Sequence, residues 1–394
     1  MDKELCLLQP EEQALRIAKI RKEMQSQSLD AILIGDNANI YYLSGRVFSG
    51  YVYVPAEGDV LYLIRRPVGL SGHGVVYVHK PELIVDVLSE RGMKMPTTIG
   101  LELDVVSYSA IARIAKVFAG ATVANASPIM RAARAVKTAV ELAAVAESGV
   151  KHEYVYRHIP QLYSNGMTDL ELQIEIERAS RLGGCLGQFR ISGDSMELFM
   201  ANVLCGDNAD APTPYDFAMG GAGIDPSLPV GCDGTTIRPG MTVMVDANGN
   251  YTGYMTDMTR VFTLGKVDEL AAKAHACSIR ICHELSAMGK PGVAAKALYE
   301  RAAEIAKEEE LSDLFMGHKQ QAGFVGHGVG IEINEAPVIA PRSRDILAEG
   351  NVIALEPKFV IPGVGAVGIE NTYAVTADGM KCLTNAPEEM ISLD

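Results

Sequence analysis

The sequence lacks the features of membrane-spanning, secreted and nucleic-acid-binding proteins. Its apolar stretches, such as residues 352–355, are far too short to span a bilayer. The opening residues, MDKELCLLQPEEQ, have neither the basic start nor the apolar run of a secretory signal. Lys and Arg number 35 against 49 Asp and Glu, and a net charge of −14 repels phosphate backbones. We therefore expect neither a membrane nor a nucleic acid as a partner.

The cysteines also lack a pattern. There are 7 of them, scattered along the chain without a Cys-x-x-Cys pair. This arrangement indicates neither a zinc knuckle nor a disulfide framework. Reduced thiols are typical of cytoplasmic proteins, so we expect a cytoplasmic location.

The length and composition indicate two folded domains. The chain has 394 residues, of which 48% are hydrophobic, enough to bury substantial cores. The first third alternates helical and strand patterns, which predicts a smaller α/β domain over residues 1–130. The predicted elements there are a helix at 10–24, a strand at 29–35, a helix at 37–45 and a pair of strands within 51–64.

The rest of the chain, residues 131–394, has runs of strands and runs of helices without regular alternation. This pattern predicts an α+β domain. Its predicted helices are 137–165, which Pro160 would kink or end, 169–182, 269–288 and 294–311. Its predicted β runs are 188–193, 197–204, 214–221, 242–265 and most of the last ~70 residues.

Two segments of this second domain carry paired acids. Asp246 and Asp257 are equidistant from Tyr251 and Thr252, which lie among turn-forming residues. In an antiparallel hairpin the two aspartates would face each other across the ladder. Glu356 and Glu370 are likewise centred on Gly363, within Pro-Gly-Val-Gly, and would also face each other.

Four carboxylates in apolar strands repel one another and are costly to desolvate unless they are protonated, paired or bound to a cation. By strand alternation Lys358 lies on the face of Glu356, whereas Arg260 faces away from Asp257. One or two cationic side chains do not comfortably satisfy four carboxylates. Divalent metal ions can, and His327, flanked by glycines, offers a nitrogen ligand.

One histidine and four carboxylates suit Mn²⁺, Fe²⁺, Co²⁺ or Zn²⁺, and bridging carboxylates would hold two ions that activate water. Acid pairs at these spacings also arise by chance, and a histidine between glycines is often structural. Structural carboxylates therefore stay open as the alternative. Placement of both pairs around turns, in apolar strands, favours the metal site.

The same residues resemble the pita-bread metallopeptidases. The order Asp246, Asp257, His327, Glu356, Glu370 matches the ligands of that family. The neighbouring sequences are similar as well: TDMTR, GHGVG, the Glu-Pro pair at 356–357, VGIENTYAVTADG and KTAVELAAVAESG. Residues 16–45 resemble the N-terminal domain of the prolidase, aminopeptidase P and creatinase branch. The resemblance implies a C-terminal pita-bread domain after a smaller creatinase-like α/β domain.

The resemblance also implies an activity. Asp246 would chelate one ion, His327 and Glu356 the other, and Asp257 and Glu370 would bridge them. A water activated by two divalent ions, Mn²⁺ first, with Co²⁺, Zn²⁺ and Fe²⁺ as alternatives, would be the nucleophile, and Glu356 would accept its proton. Members of this branch usually hydrolyse the bond before proline and form homodimers. A short peptide is thus the expected substrate.

Two positions depart from the family. Asn334 stands where the family has the histidine of a His-Glu pair, and Val230 where it has the histidine of a Pro-His pair. An asparagine amide still donates a hydrogen bond, so Asn334 is a candidate catalytic residue, but valine does not. The alternative is therefore a non-peptide hydrolase or a lyase on the same scaffold. A non-catalytic binding module ranks last, because all five ligands are present.

Overall fold

The computed structural model describes residues 3–193 and 197–394. The chain divides into two compact units between Arg134 and Ala135. The N-terminal unit is a mixed α/β structure and the C-terminal unit is α+β, as the sequence predicts. Among the helices of the described residues, none has the length and apolar character needed to cross a bilayer.

The N-terminal unit contains short strands interspersed with helices. Its strands are β1 (Lys3–Glu4), β2 (Ala31–Ile34), β3 (Ser49–Pro55), β4 (Leu61–Arg66), β5 (Leu70–Ser71), β6 (Val75–Tyr77), β7 (Thr98–Leu101) and β8 (Thr122–Asn125). Its helices are α1 (Pro10–Ser26), α2 (Asn37–Ser44), α3 (Ile84–Glu90), α4 (Tyr108–Val117) and α5 (Ser127–Ala135).

A mixed sheet in the order β6-β4-β3-β2-β7-β8 organises this unit. Leu33, Leu63 and Ile99 of the sheet pack with Leu88 and Ile114 of α3 and α4 in one buried cluster. Burial of these apolar side chains supplies the main stabilisation of the unit.

The C-terminal unit contains longer helices, a mostly antiparallel four-stranded sheet, an antiparallel five-stranded sheet and a two-stranded hairpin. Its helices are α6 (Ala139–Leu162), α7 (Asp169–Leu182), α8 (Glu269–Met288) and α9 (Ala295–Glu308). Its strands are β9 (Ala201–Cys205), β10 (Thr242–Asn250), β11 (Met255–Thr263), β12 (Gly326–Gly328), β13 (Glu335–Ile339), β14 (Val352–Leu355), β15 (Lys358–Ile361), β16 (Gly365–Gly368), β17 (Asn371–Thr376), β18 (Gly379–Cys382) and β19 (Ile391–Ser392).

The helix predictions for this unit are confirmed, and α6 continues for two residues beyond Pro160. Two strand predictions are wrong: the described residues 188–193 and 214–221 form no strand. Their apolar residues have another use, because Ile191 and Phe217 line a cavity. The apolar residues of these segments line a pocket and do not form one face of a strand.

Each of the two larger sheets of the C-terminal unit is covered by a helix pair. Helices α6 and α7 pack on the sheet β19-β11-β10-β9, and α8 and α9 pack with the sheet β13-β12-β14-β17-β18. On β10, Val243 and Val245 point to the first helix pair, so Met244 and Asp246 point to the opposite face. Met244 packs there against Val360 and Ala366 of the short hairpin β15–β16. The acidic side chains therefore lie on the faces that the helices leave uncovered.

Candidate metal centre

The first hairpin places its two aspartates on one face. In β10–β11, Asp246 pairs with Thr259, and Asp257 pairs with Asn248. The expected direct pairing of Asp246 with Asp257 is therefore wrong by two residues, and the aspartates are diagonal neighbours. Diagonal neighbours still share a face, so both carboxylates reach the same region.

The second hairpin has the predicted register. Lys358 pairs with Gly368 on one side of Glu356, and Leu355 pairs with Asn371 on the other. The same register continues through the interruption at Pro357, which has no N–H to donate. Glu356 and Glu370 therefore lie opposite each other, and Gly363 takes the left-handed conformation of the turn, with φ +79°.

The two hairpins meet at Thr259 and Glu370. Their backbones form a bridge, in which Glu370 N donates to Thr259 O at 3.1 Å. The Thr259 hydroxyl also donates to Oε2 of Glu370 at 2.8 Å. Next to them, Asp257 N donates to the Thr372 hydroxyl at 2.8 Å. These contacts bring four acids that are far apart in the sequence into one cluster: Asp246, Asp257, Glu356 and Glu370.

His327 reaches this cluster from strand β12. Its Nε2 lies 3.3 Å from Oε1 of Glu356 and 3.9 Å from Oδ2 of Asp257. The glycines on either side are needed for strand packing: a Cβ at Gly326 would lie 2.4 Å from Ala354 O, and one at Gly328 would lie 2.3 Å from Ala336 O. The glycines thus let β12 lie close to its neighbouring strands, which sets the position of the imidazole.

The potential ligand atoms form two groups. One contains Asp257, His327 and Glu370, the other Asp246, Glu356 and Glu370, and within each group the atoms lie within 4.8 Å of one another. Oε1 of Glu370 is buried and has no hydrogen-bond partner. A buried carboxylate oxygen without a donor is costly, so the first group fits a bound cation. Its nitrogen and oxygen donors suit a first-row divalent ion.

Lys358 occupies the second group. Its Nζ donates to Oδ2 of Asp246 at 2.7 Å, to Oε2 of Glu356 at 2.9 Å and to Oε2 of Glu370 at 3.3 Å. The side chain is fully buried. The sequence placed Lys358 on the correct face but did not indicate that one ammonium contacts three of the four carboxylates.

Burial and mutual repulsion set the acidity of these groups. Burial and the neighbouring Glu370 raise the pKa of Asp257 well above its usual range. Burial and Glu356 raise the pKa of Glu370 to about 8. Burial also opposes ionisation of Glu356, but Lys358 and the His327 hydrogen bond outweigh it and bring its pKa to about 2. The cluster therefore carries fewer negative charges than four unless another cation is bound.

Arg260 plays no part in neutralising the cluster. As the alternation predicts, it points away and donates to backbone oxygens of Glu370, Ala386 and Pro387 and to Oδ1 of Asn371. Its role is to join β11 to β17 and to the segment before the C-terminal strand.

A cavity of about 280 Å³ opens beside the acidic cluster. Asp246, Asp257, His327 and Glu356 line one part of it. The remainder is largely apolar and includes Ile191, Leu198, Phe199, Met200, Phe217, Met219, Phe324, Ile333 and Val338. Asn202 and Asn248 also line it, and each has a buried amide oxygen without a hydrogen-bond partner. Asn248 was missed, although its place in the strand before the turn is a usable signal.

Asn334 and Val230 have different surroundings. Asn334 lines the cavity, but its amide is already bonded to Ser192: Nδ2 donates to Ser192 O at 2.7 Å, and Oδ1 accepts from Ser192 N at 2.9 Å. The amide therefore anchors the segment that carries Ile191. Val230 is buried and is absent from the described residues that line the cavity.

Comparison with known proteins matches both units. Residues 127–377 match the model of metallopeptidase family M24, and residues 16–136 match that of the creatinase/prolidase N-terminal domain. The chain therefore belongs to metallopeptidase family M24, which is an enzyme family using divalent metal ions.

Individual relatives align with nearly the whole chain. It is 26% identical to an Xaa-Pro dipeptidase of Pyrococcus furiosus over 95% of this chain and 99% of that protein. A solved Xaa-Pro dipeptidase from Bacillus anthracis aligns with a TM-score of 0.79 at 22% identity, covering 96% of this chain and 99% of the other. The prolidase of Pyrococcus horikoshii aligns with a TM-score of 0.76 at 22% identity, covering 95% and 99%. The pita-bread fold expected from the sequence is confirmed.

Proposed function

We propose that this protein hydrolyses short peptides at an Xaa-Pro bond, using water activated by divalent metal at the acidic cluster. The observation that carries the proposal is the convergence of Asp257, His327 and Glu370, the first two of which line an apolar cavity. Relatives that align along the whole chain are named Xaa-Pro dipeptidases, which supports the peptide substrate.

Asp257, His327 and Glu370 would hold the metal. A divalent ion bound there lowers the pKa of a water ligand and polarises a carbonyl oxygen. Asp257 and Glu370 are buried, so their carboxylates are costly to ionise alone, and a dication bound between them would compensate their charge. The buried Oε1 of Glu370 would gain the partner that it lacks.

Glu356 would accept the proton of the attacking water. It lines the cavity, and Oε1 lies beside His327 Nε2 at 3.3 Å. The charge of Lys358 and the His327 hydrogen bond keep Glu356 ionised at neutral pH, which is the form that accepts a proton. Asn334 would hold Ser192 in place in the cavity wall. The second hydrogen of its amide would remain free to contact the substrate.

The cavity sets the substrate class. Its volume of about 280 Å³ is just below the usual range of about 300–1,000 Å³ for ligand pockets, so it suits a small substrate such as a dipeptide or tripeptide. The apolar side chains Phe199, Phe217 and Phe324 would pack against a proline ring and an apolar neighbour. We place the amide oxygens of Asn202 and Asn248 toward donors of the peptide.

Three finer predictions accompany this function. The family resemblance implies two divalent ions, with Mn²⁺ first, but Lys358 already contacts the second group of ligands, so the number of ions in this chain is a separate question. A homodimer is expected and is checked by light scattering coupled to gel filtration. The cytoplasmic location rests on thiol usage, and the described structure leaves all the cysteines unpaired.

The decisive experiment is a substrate panel. The purified protein, stripped with a chelator and reloaded with Mn²⁺, is incubated with Xaa-Pro dipeptides, Xaa-Pro-Xaa tripeptides and matched peptides in which alanine replaces proline. Release of proline from the Xaa-Pro dipeptides, lost on chelation and restored by Mn²⁺, is expected. If the metal-loaded protein hydrolyses none of the Xaa-Pro peptides, the proposal is refuted.

A non-peptide hydrolase or lyase on the same scaffold is the second candidate. The contact of the Asn334 amide with Ser192 favours it. Asn334 stands in place of the family's accessory histidine, and its amide is already hydrogen-bonded within the protein. Metal binding with no peptide hydrolysis is the result that would select this candidate. Small amides and amidines are then the substrates to test first.

A further inference from the structure

We infer that the Lys358 ammonium takes the place of one of the two metal ions, so that this chain binds a single divalent ion with Asp257, His327 and Glu370. This inference rests on the proposed metal site and specifies its content. It concerns Asp246, Glu356 and Glu370, which form the second group of potential ligands.

The ammonium and a second ion would compete for one position. Nζ lies 2.7 Å from Asp246, 2.9 Å from Glu356 and 3.3 Å from Glu370, and these are the same three residues. A divalent ion would bind those carboxylates at about 2.0–2.2 Å. It would therefore fill the space that Nζ already fills, and ammonium and dication would repel each other at close range.

Lys358 is held in this position from both ends. Its side chain has an exposed fraction of 0%. Its backbone pairs with Gly368 in the hairpin, and its carbonyl oxygen accepts a hydrogen bond from Met316 N at 2.8 Å. All three hydrogens of an ammonium have an acceptor here, so the head group needs no other partner.

The first group keeps its capacity for an ion. Lys358 donates to Oε2 of Glu370 and leaves Oε1 buried without a partner. His327 and Asp257 are not among the acceptors or donors of Nζ in the described residues. The carboxylates are thus divided between the Lys358 ammonium and one site that can bind a metal ion.

The test is a measurement of metal stoichiometry with Mn²⁺ as the probe. Full-length protein and variants are stripped with a chelator, saturated with Mn²⁺, freed of excess ion and analysed by mass spectrometry for Mn²⁺ per chain. Lys358→Met removes the ammonium, Lys358→Arg keeps a cation, and Lys381→Met changes an exposed lysine of β18 as the control.

We expect one Mn²⁺ per chain in the unsubstituted protein, in Lys358→Arg and in Lys381→Met, and two in Lys358→Met. Two ions in the unsubstituted protein, or one in both it and a folded Lys358→Met, would overturn the inference but leave metal-dependent hydrolysis standing. No Mn²⁺ in any of them would overturn the proposed metal site itself.

A second readout needs no variant. Electron paramagnetic resonance of the Mn²⁺-saturated protein should give the hyperfine spectrum of an isolated Mn²⁺. The spectrum of an exchange-coupled ion pair would contradict the inference even if Lys358→Met does not fold.

Discussion

At the scale of single residues, Asp257 is a carboxylate whose surroundings oppose its charge. It is buried, its pKa is raised well above the usual range by burial and by Glu370, and its neighbours Asp246 and Glu356 are also acidic. The same side chain is a proposed metal ligand. Asp257 should therefore destabilise the metal-free protein and stabilise the metal-bound one.

Asp257→Asn tests both effects. We expect the variant to lose Mn²⁺ binding and to lose activity by at least ~100-fold, because a ligand should matter more than its supporting groups. Without metal at pH 8, it should be at least as stable as the parent, since the repulsion is removed. Mn²⁺ content, peptide hydrolysis and urea unfolding measure these quantities. Asp313→Asn, an exposed carboxylate of the same unit, is the control, and an unchanged Mn²⁺ content in Asp257→Asn would contradict the ligand role.

His152 is a buried base that must stay neutral. Its Nδ1 lies 3.0 Å from the Thr256 hydroxyl, and its Nε2 has no partner. Burial lowers its pKa to about 3. In the unfolded chain a histidine titrates near 6.5, so the stabilisation by neutral His152 is complete above pH 6.5. It is lost as the pH falls from 6.5 toward 3, because only the unfolded state then binds the proton.

His152→Gln should remove this dependence. Between pH 7 and pH 5, His152 should lower the free energy of unfolding of the parent by about 2 kcal/mol. The variant should lack that part of the fall. Urea titrations at both pH values provide the comparison. His158→Gln, on the same helix but partly exposed, should behave like the parent, and an equal fall in His152→Gln would show that another group is responsible.

At the scale of elements, Arg260 joins segments that the hydrogen-bond ladders leave separate. It is fully buried on β11 and donates to oxygens of Glu370, Asn371, Ala386 and Pro387. The guanidinium has five N–H donors in a fixed plane, which match this ring of acceptors. A lysine ammonium cannot reproduce these contacts. Arg260 thus positions Glu370 from behind the acidic cluster.

Arg260→Ala should lower the free energy of unfolding by at least about 3 kcal/mol, because several buried oxygens lose their donor. Arg260→Lys should recover only a part of this loss. Arg238→Ala, at an exposed arginine, should change stability little. Chemical denaturation of the three variants decides the matter, and a change below 1 kcal/mol in Arg260→Ala would show that water replaces the guanidinium.

The sequence predicts the faces of these elements better than their registers. The hairpin pattern placed Asp246 and Asp257 on a common face, and period-2 alternation placed Lys358 on the face of Glu356. The predicted register of β10–β11 was wrong because several turn-forming residues occur together, so the sequence does not fix the centre of the turn. Gly249 lies within the strand because the His152 ring fills its side-chain position, where a Cβ would be 2.6 Å from Cγ. That is a tertiary contact, which local turn preferences do not contain.

The second hairpin was predictable because its turn has no competitor. Pro362 and Gly363 determine the bend, and Gly363 adopts positive φ. The three contacts of Lys358 could not be predicted, since Asp246 comes from the other hairpin. The backbone bridge between Thr259 and Glu370 is one of the contacts that bring the two hairpins together. Long-range contacts of this kind depend on packing rather than on spacing in the sequence.

At the scale of the whole molecule, metal and folding should be linked. The acidic cluster joins strands from two hairpins and from β12, all within the C-terminal unit. In the unfolded chain these side chains are spread over more than a hundred residues, from Asp246 to Glu370, so no site exists there. An ion that binds only the folded state stabilises it by mass action.

Metal removal should therefore lower the melting temperature. At free Mn²⁺ of about 100 times Kd, the free energy of unfolding should rise by about 2.7 kcal/mol. For a unit of this size that corresponds to a rise in Tm of roughly 5–10 °C. Differential scanning calorimetry with chelator and with Mn²⁺ measures it. Asp257→Asn should show no rise, whereas Asp313→Asn should match the parent. A rise of equal size in Asp257→Asn would place the stabilising ion elsewhere, since a ligand of the cluster would then be dispensable for binding.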